Sequence, residues 1–515
     1  MTSVLWITTD QHRADVLGCA GNPVVQTPNI DAVAAAGTRY TAARTPNPFC
    51  QPARASLLTG MLPSSHGVTF NGTDLPTEDA ERTVASHFAR AGHATGFFGK
   101  AHFASTYPFT PTGALESVEG SASMPEGWTG PYFGFEHVQL ICFGHNMRIS
   151  PLQGRWQWCL GPAPFGLHYG RWLYRDGVKA GNERIRLMTP EAAGAVWDET
   201  QTWKSALPEE DHQTTFVADR ATEWIGDLPA GKDFFAWVSF TDPHHPMDPP
   251  APWSNMYAAA DCAEVLPSPP VDEHKNKPGL HEFWTKGNKG EMAWANPGGA
   301  NYSPEQLATM TAAYYGMISQ MDAAIGRVLA ALEASGRADD TVVVITADHG
   351  EFLGQHRMIF KGPFGYDSLL KVPLIVRGPG FAAGAVVDDA VATLDLPATS
   401  LRAAGLAVPS ADDPTMAMDS RPLQDGHREA TLHEDDFEVF IKVPLRTLAT
   451  NQYKLTRYED QPGVGELYDL DDDPEEHVNR WDDVAFAAVK ADLLTELAAQ
   501  YRPTTRTLER VGLVG

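Results

Sequence analysis

Short β-branched or aromatic runs alternate along the 515-residue chain with stretches whose apolar residues recur every three or four positions. Runs at 4–8, 95–98, 234–240, 341–346 and 372–376 predict strands, and the stretches between them predict helices. That alternation belongs to an α/β fold with a large, mostly parallel sheet sandwiched by helices. The clearest helix starts at Ser303, where Ser303, Pro304 and Gln306 supply N-cap, first-turn proline and capping-box residues. Its apolar stripe is Tyr314, Met317, Ile318, Met321, Ile325, Val328, Leu329 and Leu332, and Gly336 stops it. This stripe predicts core packing, not a cofactor box.

Open α/β sheets gather their chemistry beyond the C-terminal ends of strands. There the first run meets Asp10 and Gln11, the second Lys100 and His102, the third Asp242, His244 and His245, and the fourth Asp348 and His349. Asp10, Asp348 and His349 are hard or borderline ligands and Gln11 adds a carbonyl oxygen, a set that suits Ca2+, Mg2+ or Mn2+. With 39 basic and 65 acidic side chains the formal charge is −26, which argues against nucleic acid as a partner. An anionic substrate must then be drawn by a local cationic pocket. Five cysteines without paired spacing predict neither a disulfide framework nor a zinc site. No basic leader opens the chain and no apolar run nears the roughly 20 residues that span a bilayer, so a cytoplasmic protein without a membrane partner is expected.

Between Asn47 and Gly60 the chain reads NPFCQPARASLLTG, in which Cys50, Pro52 and Arg54 form Cys-x-Pro-x-Arg ahead of Leu58, Thr59 and Gly60. This string resembles the signature of the type I sulfatases of the alkaline phosphatase superfamily. The resemblance implies that a formylglycine-generating enzyme converts Cys50 to Cα-formylglycine, whose hydrate is the covalent nucleophile. TTDQ, ending at Gln11, and ADHG, containing Asp348 and His349, resemble the family's two metal-binding segments. They imply one divalent ion, Mn2+ or Ca2+, held by Asp10, Gln11, Asp348, His349 and the modified Cys50. GKAHF resembles the element whose lysine, here Lys100, contacts the ester oxyanion and whose histidine, here His102, helps break down the covalent intermediate. DPHHP resembles the element that sets a histidine, His244, beside the leaving-group oxygen, with His245 left to packing. Lys361 resembles the lysine that bridges nucleophile and substrate, and Asn71 in FNGT resembles a substrate-contact asparagine. Arg54 joins Lys100 and Lys361 as a fixed cation expected to neutralise the ester oxygens and steady the nucleophile. His356 is expected at the surface, outside the site.

The substrate so implied is a small aryl or other sulfate ester. Asp10-Gln11, Asp348-His349 and FNGT also resemble the phosphonate monoester hydrolases, so phosphonate monoester or phosphodiester hydrolysis is the alternative, and one enzyme could serve both. An inactive binding relative is a third reading, disfavoured because no site position is lost.

Residues 1–425 are expected to form the catalytic domain and 426–515 a smaller α+β subdomain with antiparallel strands and a terminal helix near 485–501. Within the first, 105–210 reads as an insertion rich in tryptophan and glycine, with Trp156, Trp158 and Trp172 as candidates for stacking a leaving group. The acidic run near Asp473 predicts a solvated turn. The tail RPTTRTLERVGLVG is expected to dock on a neighbour in a homo-oligomer.

Overall fold

The computed structural model describes residues 2–141, 167–195, 198, 200–286, 302–410, 418–439, 441–503 and 506–512, and the backbone of 147–150 and 155–158. An eight-stranded sheet forms its centre, in the order Ala385–Val387, Thr38–Tyr40, Leu374–Arg377, Thr341–Ala347, Ser3–Thr9, Phe234–Ser239, Ala94–Lys100 and His137–Ile141. From Thr341–Ala347 to His137–Ile141 the strands run parallel, while Leu374–Arg377 is antiparallel to both its neighbours. The sheet is therefore mixed and mostly parallel, as the pattern predicts.

Strand alternation splits the core into two layers. Leu5, Ile7, Phe98, Val238 and Ile345 pack under helices Pro304–Ala334 and Gln213–Asp227 on one face. Val4, Trp6, Phe97, Trp237 and Val344 pack under Cys50–Thr59, Val84–Arg90 and Leu396–Ala403 on the other. Trp6 and Trp237 meet edge-on at 5.3 Å. Each finds a hydrogen-bond acceptor, Ser400 Oγ and Thr8 Oγ1, at 2.8 Å, so burying the indoles leaves no polar atom stranded. The long helix carries the expected capping box at Ser303 and buries its stripe, apart from half-buried Leu329.

A second sheet, Thr431–Glu438, Lys442–Ala449, Tyr453–Tyr458 and Gly465–Asp469, is an antiparallel meander. Leu432, Leu448, Leu455 and Leu467 on one face pack against Leu493 and Leu497 of helix Ala487–Gln500. Phe437, Leu445, Tyr458 and Tyr468 on the other share a core with Phe49, Phe70, Phe352 and Tyr366. The meander thus braces the segments just before Cys50 and just after His349.

One expectation needs correction, and two others gain a contact. Glu476, in the acidic run, is fully buried and pairs with Lys454 at 2.5 Å, because its φ of 58 turns it inward instead of toward solvent. Trp172 stacks on Tyr169 with the Arg175 guanidinium 3.8 Å above its ring, so packing occupies it. The side chains of Trp156 and Trp158 lie outside the described residues. The tail docks on its own chain: Val511 and Gly512 donate to the Gly72 carbonyl at 2.8 and 3.0 Å, and Arg506 pairs with Asp79. Among the described residues no helix is long and apolar enough to cross a membrane.

Candidate active site

Strand ends bring the candidate residues together where the parallel strands stop. Asp10 and Asp348 follow neighbouring strands in register, Thr9 opposite Ala347. Lys100 ends the strand Ala94–Lys100. It comes close because Gly99 has φ 116 and a Cβ there would meet the Ser239 carbonyl oxygen at 1.8 Å; only glycine allows that approach. Cys50 opens helix Cys50–Thr59, all ten residues of which are buried.

The Cys50 sulfur lies 3.0 Å from Lys361 Nζ, 3.1 Å from His349 Nε2 and 3.7 Å from Asp10 Oδ1. Burial and Asp10 push its thiol up, but Lys100, Lys361 and His349 more than offset them and bring it down to about 7. His349 Nδ1 donates to the Gly350 carbonyl at 2.9 Å, which leaves the Nε2 lone pair facing the sulfur. Burial would raise the Asp10 carboxyl, yet Lys100, Arg54, Lys361 and His349 hold it well below the usual carboxylate range. Lys100 Nζ contacts Asp10 Oδ2 at 2.5 Å, and this partner keeps its ammonium protonated against burial.

Metal-ligand chemistry fits this group. One ligand atom each from Asp10, Cys50, Asp348 and His349 lies within 4.8 Å of the others, all buried. Gln11 adds an observation of its own: its Oε1 is buried without a hydrogen-bond partner, while its Nε2 donates to Glu351 and, at 3.1 Å, meets His245 Nδ1. An orphaned carbonyl oxygen beside two carboxylates is an acceptor that a cation would satisfy.

His244 Nδ1 donates to the His245 carbonyl at 2.6 Å, so Nε2 accepts from Lys361 Nζ at 3.1 Å. Burial and then Lys361 keep this ring neutral, far below its ordinary value. His102, also buried, is held neutral by burial, Lys100 and Arg54. Lys361 Nζ, 3.0 Å from both Cys50 Sγ and His349 Nε2, joins the nucleophile position to His244.

One residue, His356, stands elsewhere than expected, and two others show which neighbours hold them. Arg54 Nε donates to Asp348 Oδ2 at 2.8 Å, one terminal nitrogen to Asp10 Oδ2 at 3.1 Å, and the other to the Lys100 carbonyl and Ser239 Oγ at 2.6 and 2.8 Å. Its charge orients the two carboxylates and also acts on Cys50. Asn71 accepts the backbone N–H of Gln51 at 3.0 Å, satisfying a first-turn donor of the Cys50 helix from a distant loop. His356 is buried, stacked on Tyr366 at 3.8 Å, and not at the surface.

Glu351 was not a candidate, yet it takes Gln11 Nε2 and the N–H groups of Leu353, at 3.0 Å, and Phe360. It thereby pins both a ligand-bearing turn and the loop that carries Lys361. Its only signal in the sequence is its place in ADHGE.

A sulfatase family model matches residues 2–406, and a model of the N-sulphoglucosamine sulphohydrolase C-terminal region matches 354–502. The chain belongs to the sulfatase family. Among curated sulfatase relatives, an arylsulfatase of Clostridium perfringens is 27% identical over 93% of this chain and 89% of its own length. A multifunctional alkaline phosphatase superfamily protein of Trinickia caryophylli is 27% identical over 95% and 93%. Among solved structures, the phosphonate monoester hydrolase of Agrobacterium radiobacter superposes with a TM-score of 0.74 at 28% identity, covering 97% of this chain and 96% of that one.

Proposed function

We propose that this sulfatase hydrolyses small sulfate esters through a covalent intermediate on a formylglycine made from Cys50. The observation that carries the reading is the position of Cys50 Sγ, at a helix N-terminus and within 3.0–3.7 Å of Lys361, His349 and Asp10. Asp10, Gln11, Asp348, His349 and residue 50 would hold one divalent ion, Mn2+ or Ca2+ by donor type. That ion would supply Lewis-acid stabilisation of charge on the ester, and formylglycine would supply, as its hydrate, one hydroxyl to attack and a second from which the aldehyde reforms.

The remaining residues divide the work. Arg54 and Lys100 fix the Asp10 carboxylate, and Arg54 also fixes Asp348, so the site costs no reorganisation when charge builds up. Lys361 and Lys100 offset the ester oxygens, giving an acidic protein a cationic pocket. The hydrogen-bonded pair Lys361 and His244 shares a proton where the alcohol departs. His102, neutral and buried, accepts the proton of the second hydroxyl. Asn71 acts by holding the N-terminus of the nucleophile helix.

A phosphonate monoester or phosphodiester hydrolase is the second reading, supported by the 0.74 superposition on phosphonate monoester hydrolases and by the Asp10-Gln11 and Asp348-His349 pairs. The test is mass spectrometry of the Cys50 peptide, where formylglycine removes about 18 Da, followed by turnover of an aryl sulfate and a phenyl phosphonate ester. Formylglycine with faster sulfate turnover upholds the first reading; faster phosphonate turnover establishes the second. Active protein with only unmodified cysteine would overturn both.

A further inference from the structure

We infer that Glu116 positions His102 for breakdown of the covalent intermediate, an inference that rests on the role proposed above for His102. His102 stands two residues beyond the end of the strand Ala94–Lys100, and its φ is 55, in the left-handed region that L side chains rarely adopt. Such a backbone persists where its surroundings over-determine it. The determinant is Glu116. Successive backbone N–H groups, those of His102 and Phe103, donate to its Oε2 and Oε1 at 2.5 and 2.9 Å. The Tyr132 hydroxyl donates to Oε1 at 2.7 Å and fixes the carboxylate's rotation. From the opposite side the Phe103 carbonyl accepts Leu75 N–H at 2.8 Å, and Asp74 Oδ1 accepts Ser105 N–H at 2.7 Å.

Glu116 is buried, 5% exposed, and burial pushes its carboxyl up to about 7 while the Tyr132, Phe103 and His102 donors pull it down, so its charged form depends on those three bonds. Two N–H groups aimed at two oxygens of one carboxylate form an anion-binding concavity in which the anion is a side chain. An amide in its place offers one acceptor and turns an NH2 toward the other N–H, so the turn must shift. Glu116 and Tyr132 come from 105–210, the stretch whose only candidates in the sequence are tryptophans for stacking a leaving group. Its contribution here lies beneath the site.

The test uses the formylglycine-bearing, metal-loaded enzyme and compares Glu116→Gln with His102→Ala on a nitrophenyl sulfate. Slowed breakdown lowers kcat and KM in proportion, so Glu116→Gln is expected to lose at least tenfold in kcat, with kcat/KM and the pre-steady-state burst unchanged. The double variant is expected to match His102→Ala alone. Tyr132→Phe, which removes one donor and leaves the turn's N–H bonds, gives a smaller shift of the same kind if Glu116→Gln fails to fold. Unchanged kcat, a loss confined to kcat/KM, or losses that multiply in the double variant would overturn the inference. The nitrogen spectrum of 15N-histidine-labelled protein needs no turnover: Glu116→Gln should move the His102 signals and leave those of His244 and His349. Unmoved His102 signals sink the inference even if the functional reading holds; absent wild-type turnover with moved signals sinks the functional reading and leaves the positioning intact.

Discussion

Two groups of potential metal ligands share the segment 348–361: buried Asp10, Cys50, Asp348 and His349, and buried Glu273 and His356 with half-buried His477. They differ in where the cations sit. In the first, Arg54 and Lys100 take Asp10 Oδ2, leaving Oδ1 to face Cys50 and His349 at 3.7 and 3.8 Å. In the second, Lys277 Nζ sits 2.7 Å from Glu273 Oε1, the same oxygen that meets His356 Nδ1 at 2.6 Å and His477 Nδ1 at 3.4 Å. Lys277 also donates to the Glu476 carbonyl at 2.6 Å and lies 4.4 Å over the Tyr366 ring. In the first group the Lys361 ammonium reaches Cys50 and His349 at 3.0 Å and not the Asp10 oxygen that Arg54 and Lys100 hold, whereas in the second Lys277 sits on the one carboxylate oxygen that both histidines meet.

Substitutions can break this contrast. Cys50→Ala should lower turnover by on the order of 10^4 or more, since a nucleophile acts as a unit with its partners; steady-state rates approaching wild type would end the covalent mechanism. Lys277→Met leaves Glu273 buried without its cation, which costs about 3–5 kcal/mol, read as a lower urea midpoint. The metal content per chain should stay at one. A second equivalent of metal in Lys277→Met would mean that the lysine alone had kept the second group from being a metal centre of the same kind.

His244→Ala sharpens the first group's chemistry. Loss of the residue that shares a proton with Lys361 should cost roughly 10^2-fold or more on alkyl sulfates and much less on nitrophenyl sulfate, whose alcohol leaves unprotonated. Equal losses on the two esters would assign His244 to binding instead.

Much of this was legible in the sequence because it is local. The strand runs at 4–8, 95–98, 234–240 and 341–346 lie within observed strands or overrun them by one residue, since a buried parallel strand writes its own apolar run. The Ser303 cap and the methionine stripe are likewise encoded in adjacent residues. Arg54, Asn71 and Glu116 were not legible in the same way. That Arg54 holds Asp348 depends on a residue 294 positions away, and Glu116 reaches the His102 backbone from fourteen positions along a stretch without periodic pattern. His356 misled for a related reason: the Tyr366 ring that covers it and Glu273, which binds it, come from separate segments.

Acidification should separate the two regions, because His349 in the first group and His281, which packs beside His356 of the second, are displaced in opposite directions. Burial and Lys361 would lower His349, yet Asp348 and Cys50 raise it above its ordinary value, so in metal-free protein its contribution is present below about pH 6.5 and fades as pH rises through the raised value. His281, with both ring nitrogens unpartnered and its ring 6.2 Å from His356, is instead pushed down to about 3 by burial and Lys277. A depressed histidine gives stability that is complete above its unfolded value and lost as pH falls toward the folded one. Between pH 7 and pH 5, His281→Leu should therefore lose less stability than wild type, by roughly 2 kcal/mol, in paired urea titrations of metal-free protein. Parallel pH dependence in the two proteins would show that His281 is charged or solvated in the fold, and that the second group is no drier than the first.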